Sequence, residues 1–229
     1  ISPYNQLNLI VVHLGGGISV GAHCKGRIID VNDALQGEGP IAPERAGSIP
    51  ALSLAHLCFS GKYTFEEIRK KIAGQGGMVA LSGTNSFLEL CARIQAEAQA
   101  DAQAQATTPA TPASNTTTTP ATPTTSTASA TAPSASATPS ALSATAVFNA
   151  MAYTVAKEIG AMAAVLHGHI DAILFTGGIA HSKPFVDQIT KQIGFLAPCH
   201  TYPGEDEMLA LATNALNILT GKETPREYL

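Results

Sequence analysis

Residues 8–14, NLIVVHL, form a β-branched, mostly apolar run, and three consecutive glycines, Gly15 to Gly17, follow it. A strand with one wet face alternates polar and apolar residues. A run without that alternation is the pattern of a strand covered on both faces, the habit of sheets with parallel strands. The next stretch, ISVGAHCKG (18–26), alternates more clearly. Lys25-Gly26 reads as a tight turn and RIIDVND (27–33) as the return strand. Three strands joined by two hairpins are therefore expected first. The glycine triplet leaves two readings open. It is a loose hairpin tip, or it bares the backbone so that an anion meets N–H groups without Cβ interference.

Helical signals come next. ALQGEGPIAPERAGSIP (34–50) is a Gly/Pro loop, and a loop this long without structure is usually functional. ALSLAHLCF (51–59) is predicted helical, stopped by Ser60-Gly61. Thr64 and Glu67 form a capping box opening FEEIRKKIA. A second glycine loop (74–86) precedes the helix FLELCARIQ, which residues 96–106 are able to extend. A long helix is predicted over 146–168, then a buried strand, DAILFTGG (171–178). The helix KPFVDQITKQIGF, the strand APCHTYP and the helix EDEMLALATNALNILTG complete the chain. The order βββ, helices, β-α-β-α implies an α/β fold. Its mixed sheet has three antiparallel strands, then parallel ones, flanked by helices.

One composition shift divides the chain. From Thr107 to Ala146 every residue is Ala, Ser, Thr or Pro, except Asn115 and Leu142. Such a segment buries too little apolar surface to offset its ordering entropy, so a disordered insert is expected over 95–146. The flanking stretches, 1–94 and 147–229, are then two parts of one domain. A chain that starts almost on a buried strand reads as a fragment lacking an upstream lobe. Net charge is −4, which gives no basic excess for nucleic acid. No apolar run reaches the roughly 20 residues that span a bilayer, and no secretory signal is present, so a cytoplasmic location is expected. Cys24, Cys58, Cys91 and Cys199 are widely spaced, which favours free thiols over a zinc or disulfide framework.

Two glycine-rich turns after buried strands, HLGGG and FTGGIAHS, suit a nucleotide, with phosphates at the first and the nucleoside at the second. Neither a P-loop nor Gly-x-Gly-x-x-Gly is present. Five segments now become specific by their order. They are VVHLGGGISVGAHCKGRIIDVNDALQGEGPIAPERAG, LCFSGKYTFEEIRKKIAGQGGMVALSGTN, AMAYTVAKEIGAMAAVL, DAILFTGGIAHS and YPGEDEMLALATNAL. In these the chain resembles the acetate kinase family, with Gly16, Ile18 and the Glu-Gly-Pro loop at 38–40 pointing to its butyrate-type branch. The family shares the actin-like ATPase (ribonuclease H-like) fold.

The resemblance implies phosphoryl transfer between ATP and a short-chain carboxylate such as butyrate, giving an acyl phosphate and ADP. Acetate, propionate or a branched-chain acid are alternatives, as is a non-catalytic nucleotide-binding or interaction module served by the insert. Arg45 matches the arginine that stabilises the transferring phosphoryl, with Ala46 in place of the family's usual serine. His13, Gly15, Gly16 and Gly17 match the phosphate-contacting turn. Gly177, Gly178 and Ile179 match the turn under the adenosine, with Ala180, His181 and Ser182 beside it. Gly83, Thr84 and Asn85 fall where the family contacts the nucleoside. For Mg²⁺ the resemblance favours Glu207, then Glu205, within the acidic run 205–207; Asp30 and Asp33 are weaker acidic candidates. His167 and His169 read as helix-end residues, not ligands. The upstream lobe of the family carries much of the carboxylate pocket, so the chain alone is expected to be inactive. Homodimerisation is usual in the family, with helices 146–166 and 206–219 as contributors.

Overall fold

The computed structural model describes residues 3–107, 142–204 and 207–224. The low-complexity centre of the expected insert, 108–141, lies outside the described residues. The sheet holds five strands in the order β3-β2-β1-β4-β5: β1 Asn8–Leu14, β2 Ile18–Cys24, β3 Arg27–Val31, β4 Ala172–Gly177 and β5 Cys199–Pro203. Strands β1, β2 and β3 pair antiparallel, while β1 pairs parallel with β4 and β4 with β5. The helices are α1 Ala51–Cys58, α2 Phe65–Ile72, α3 Met78–Ser82, α4 Phe87–Thr107, α5 Ala144–Val165, α6 Lys183–Ile193 and α7 Glu207–Leu219.

One face of the sheet carries the core. In β1 the side chains of Ile10, Val12 and Leu14 are fully buried, as are Ile173 and Phe175 of β4. Helix α5 supplies Val147, Met151, Val155 and Ile159, one stripe at four-residue spacing, all fully buried. Phe185 of α6 meets Phe87 and Phe148 edge-on, with ring centroids 5.0 and 5.1 Å apart. The expectation that β1 is covered on both faces is met fully on one and in part on the other, where Leu9 is buried and Val11 and His13 are half-buried.

Local chemistry sets the ends of the elements. Lys25 and Gly26 turn with φ of 48° and 85°, the double positive φ of a type I′ hairpin. The capping box is present: the Thr64 hydroxyl accepts from the Glu67 N–H and Glu67 reaches back to the Thr64 N–H. Those bonds hold the Glu67 carboxyl below its usual range. Strand β3 stops at Val31 rather than at 33, because Asn32 turns inward. Its amide donates to the carbonyls of Ile18 and Glu38, at 3.1 and 3.0 Å, and its Oδ1 accepts from Val20 N–H at 2.7 Å.

One span expected to lack helix contains it: the glycine loop 74–86 encloses α3. Helix α4 runs on to Thr107, the extension over 96–106 that the sequence allows, and α5 begins at Ala144. Glu97 joins the two by accepting from Ala144 N–H at 2.6 Å and Thr145 N–H at 3.1 Å, so a folded residue of α4 caps α5 from within the span assigned to the insert. The four cysteines are free. Among the described residues no helix is long and apolar enough to cross a membrane.

Candidate nucleotide site

Strands β1 and β4 are parallel neighbours with His13 opposite Thr176, so both glycine turns leave the same edge of the sheet. Ligands of open α/β sheets gather at that carboxyl edge. The glycines there are not alike. Gly177 has φ +89°, and a Cβ on it would lie 2.5 Å from the Leu14 carbonyl oxygen. The fold itself requires glycine at that position. Gly83 is likewise explained by its backbone, since it ends α3 in the left-handed conformation. Gly16 and Gly178 have no such reason. Neither has a positive φ; a Cβ at Gly178 meets nothing within 4 Å, and one at Gly16 only the Glu44 carboxyl, Oε2 at 3.7 Å. Gly15 and Gly17 are tighter, 3.1 Å from His13 Nε2 and 3.3 Å from the Ala34 carbonyl oxygen.

Beyond the first turn lies a cleft of about 490 Å³ lined by His13, Gly17, Asn32, Asp33, Ala34 and Arg45. The structure thus brings His13, Gly17 and Arg45 together across 32 residues of chain (45 minus 13). Arg45 is held by its backbone. Its carbonyl accepts from Ala42 N–H at 3.1 Å, it bridges to Ala73, and the following Ala46 N–H donates to Ile72 at 2.9 Å. Its NH1 donates to the Glu44 carbonyl at 3.4 Å and lies 3.6 Å from the Glu44 carboxylate. Its Nε is buried and has no partner among the described residues. A charged, buried N–H left unpaired is costly.

The second turn opens on a cleft of about 500 Å³ lined by Ser86, Phe87, Cys91, Gly178, Ile179, His181 and Ser182. Burial pushes the Cys91 thiol above its usual range, so it stays neutral. Of the loop 83–85, none lines that cleft. The Thr84 hydroxyl is spent on Glu89 at 2.6 Å, and Asn85 donates to Glu44 Oε1 at 2.8 Å. Ala180 is buried beneath the turn. Gly204 pairs with Gly177 through both backbone bonds, 3.3 and 3.1 Å, which fixes the chain just before α7 against the second turn. Glu207 is the first residue of α7; Glu205 lies outside the described residues.

Of the weaker acidic candidates, Asp33 lines the first cleft and Asp30 does not. Asp33 accepts from Gln36 at 3.2 and 3.0 Å. Asp30 and Glu38 lie near Glu158, whose carboxyl is pushed up by burial first and by those two charges next. His167 has φ 53° and donates its N–H to the Ala164 carbonyl at 2.9 Å, a helix-end role as expected. Among the described residues no group of three His, Cys, Asp or Glu side chains is placed to hold a metal. Glu44, Asn32 and Cys91 were not singled out by sequence. Glu44 is adjacent to Arg45 in PERAG, which is the one signal that pointed there.

Comparison with known proteins gives the chain's likenesses. The model of the acetokinase family matches residues 2–110. Butyrate kinase 2 of Clostridium acetobutylicum is 45% identical over 225 residues, which cover 98% of this chain and 51% of that protein. A probable butyrate kinase of Phocaeicola vulgatus is 47% identical over 219 residues, 96% of this chain and 50% of that one. The chain thus spans about half the length of the curated relatives it matches. Its fold is that of acetate kinase from Porphyromonas gingivalis, with TM-score 0.69 at 18% identity, over 95% of this chain and 50% of that one. That is the actin-like ATPase fold expected from the sequence.

Proposed function

We propose that the chain is the nucleotide-binding half of a short-chain carboxylate kinase, transferring phosphoryl between ATP and butyrate. One observation carries the reading. Arg45 lines, with His13 and Gly17, the cleft beside a glycine turn whose middle residue, Gly16, the fold has no need to keep bare. An oxyanion satisfies both, since it needs the guanidinium donors and close backbone approach. Phosphoryl transfer asks little covalent chemistry of the protein; it asks for in-line positioning and cations at the equatorial oxygens. Arg45 is the proposed catalytic cation. His13, Gly15, Gly16 and Gly17 would face the phosphates. Gly177 to Ser182 would form the wall of the nucleoside cleft, with Gly83, Thr84 and Asn85 acting from behind it.

Mg²⁺ takes oxygen ligands, with one or two carboxylates beside the phosphates. Glu207 and Glu205 would hold it; they follow Gly204, which pairs with Gly177 of the second turn. When bound it would neutralise charge on the phosphates. The relatives named butyrate kinase favour butyrate over acetate, propionate or a branched-chain acid. The substrates are central metabolites, and we place the reaction in the cytoplasm. A homodimer would use α7, whose Met208, Leu209, Leu211 and Leu216 are exposed. The apolar stripe of α5 is spent in the core of its own chain.

Two assays test this reading together. Calorimetry with ADP should show one saturable site on this chain. Mixing the chain with ATP, Mg²⁺ and butyrate should give no ADP above background, because the rest of the carboxylate pocket is proposed to lie in the other half of such a kinase. Robust turnover by this chain alone would contradict the division of labour, and absence of ADP binding would contradict the nucleotide site.

A further inference from the structure

Glu44 stands where the parts of the site meet. Its N–H donates to the Gly16 carbonyl at 3.1 Å, and its own carbonyl accepts from Gly74 N–H at 2.7 Å. Its carboxylate reaches two ways: Oε1 accepts from Asn85 Nδ2 at 2.8 Å, and Oε2 lies 3.6 Å from Arg45 NH1. One residue therefore touches the first glycine turn, the arginine and the loop after α3. Asn85 itself precedes Ser86 and Phe87, which line the second cleft. This arrangement is odd on charge alone. A carboxylate beside a turn read as a phosphate contact repels that phosphate. Its presence there calls for a mechanical reason.

We propose that Glu44 is a positioning residue, a strut that couples the phosphate turn to the nucleoside cleft through Asn85 and orients Arg45. The proposal rests on the nucleotide reading above. The Asn85 bond is the main tie; the Arg45 pair is longer and 37% exposed on the glutamate side, so solvent weakens it. Glutamine keeps a neutral acceptor for Asn85 and removes the charge, whereas alanine removes both.

These differences give opposite signs for the two explanations. If Glu44 is a strut, Glu44→Ala and Asn85→Ala each weaken ADP binding about fivefold, the double variant loses no more than the worse single, and Glu44→Gln recovers most of the affinity. If Glu44 is a bystander charge, Glu44→Ala binds ADP as tightly as the parent or more tightly. That result, or single losses that multiply in the double variant, overturns the proposal. A nucleotide-free measurement separates the two readings. The Asn85 side-chain amide protons, followed by NMR, should shift and lose protection in Glu44→Ala and stay in place in Glu44→Gln. An amide unmoved by Glu44→Ala overturns the strut whether or not ADP binds. An amide that moves, in a protein that binds no ADP, keeps the strut and overturns the nucleotide site.

Discussion

Alanine at Gly77 is expected to cost about 4 kcal/mol of stability, the top of the range for a single substitution. Gly77 has φ +61° and ψ −131°, a region closed to residues with a side chain. An added Cβ would stand 2.0 Å from the Ala42 carbonyl oxygen and 2.2 Å from that of Arg45. Both carbonyls are already in use, Ala42 for Met78 N–H at 3.0 Å and Arg45 for Ala42 N–H at 3.1 Å. Relief of the clash therefore breaks the backbone that holds Arg45. Gly61→Ala is the matched control. Gly61 also has a positive φ, +68°, but open space around it, and its loss should be about 1 kcal/mol. Chemical denaturation of the two variants checks the contrast; equal midpoints would mean the Arg45 loop yields freely.

Arg45→Ala is expected to lower phosphoryl transfer by on the order of 10³, the scale set by arginines that stabilise a transferring phosphoryl. The assay uses a chimera in which this chain replaces the matching half of the Clostridium acetobutylicum butyrate kinase 2. Lysine should not rescue, because it supplies a point charge without the planar fork. The loss should fall on kcat, with ADP binding to the isolated chain changed far less. Turnover within about threefold of the parent would remove Arg45 from the chemistry.

Much of this fold was legible in the sequence because its signals are local. The β-branched run at 8–14, the Lys25-Gly26 turn and the Thr64/Glu67 capping box each specify one geometry with few neighbours. The partial cover on the second face of β1 was not legible, since it depends on what the rest of the molecule lays against the sheet. Helix α3 was hidden because its few helix-forming residues sit between glycines, and tertiary packing of Met78 holds it. Asn32 has the letters of one more strand residue, while its amide spans Ile18, Val20 and Glu38 across separate stretches of chain.

The site was legible in its parts and not in its joints. Gly16, Gly83, Gly177 and Gly178 read alike as letters. Only backbone conformation separates the glycines the fold requires, Gly83 and Gly177, from those it does not. Glu44 was passed over because its partners are Gly16 and Asn85, 28 and 41 positions away (44 minus 16, 85 minus 44). Sequence supplies residue types near a site; the bond that joins two loops is a three-dimensional fact.

That separation makes Gly16→Val the sharpest test of the account. The backbone at Gly16 suits any residue, and a Cβ meets only the Glu44 carboxyl at 3.7 Å, so the variant should fold and melt like the parent. Its isopropyl group would occupy the space where phosphate oxygens meet the turn. Titration of this variant with ADP, beside the parent, should show binding reduced beyond detection while the melting transition is kept. ADP affinity equal to the parent would contradict the account, and the triplet Gly15 to Gly17 would then be a hairpin tip and nothing more.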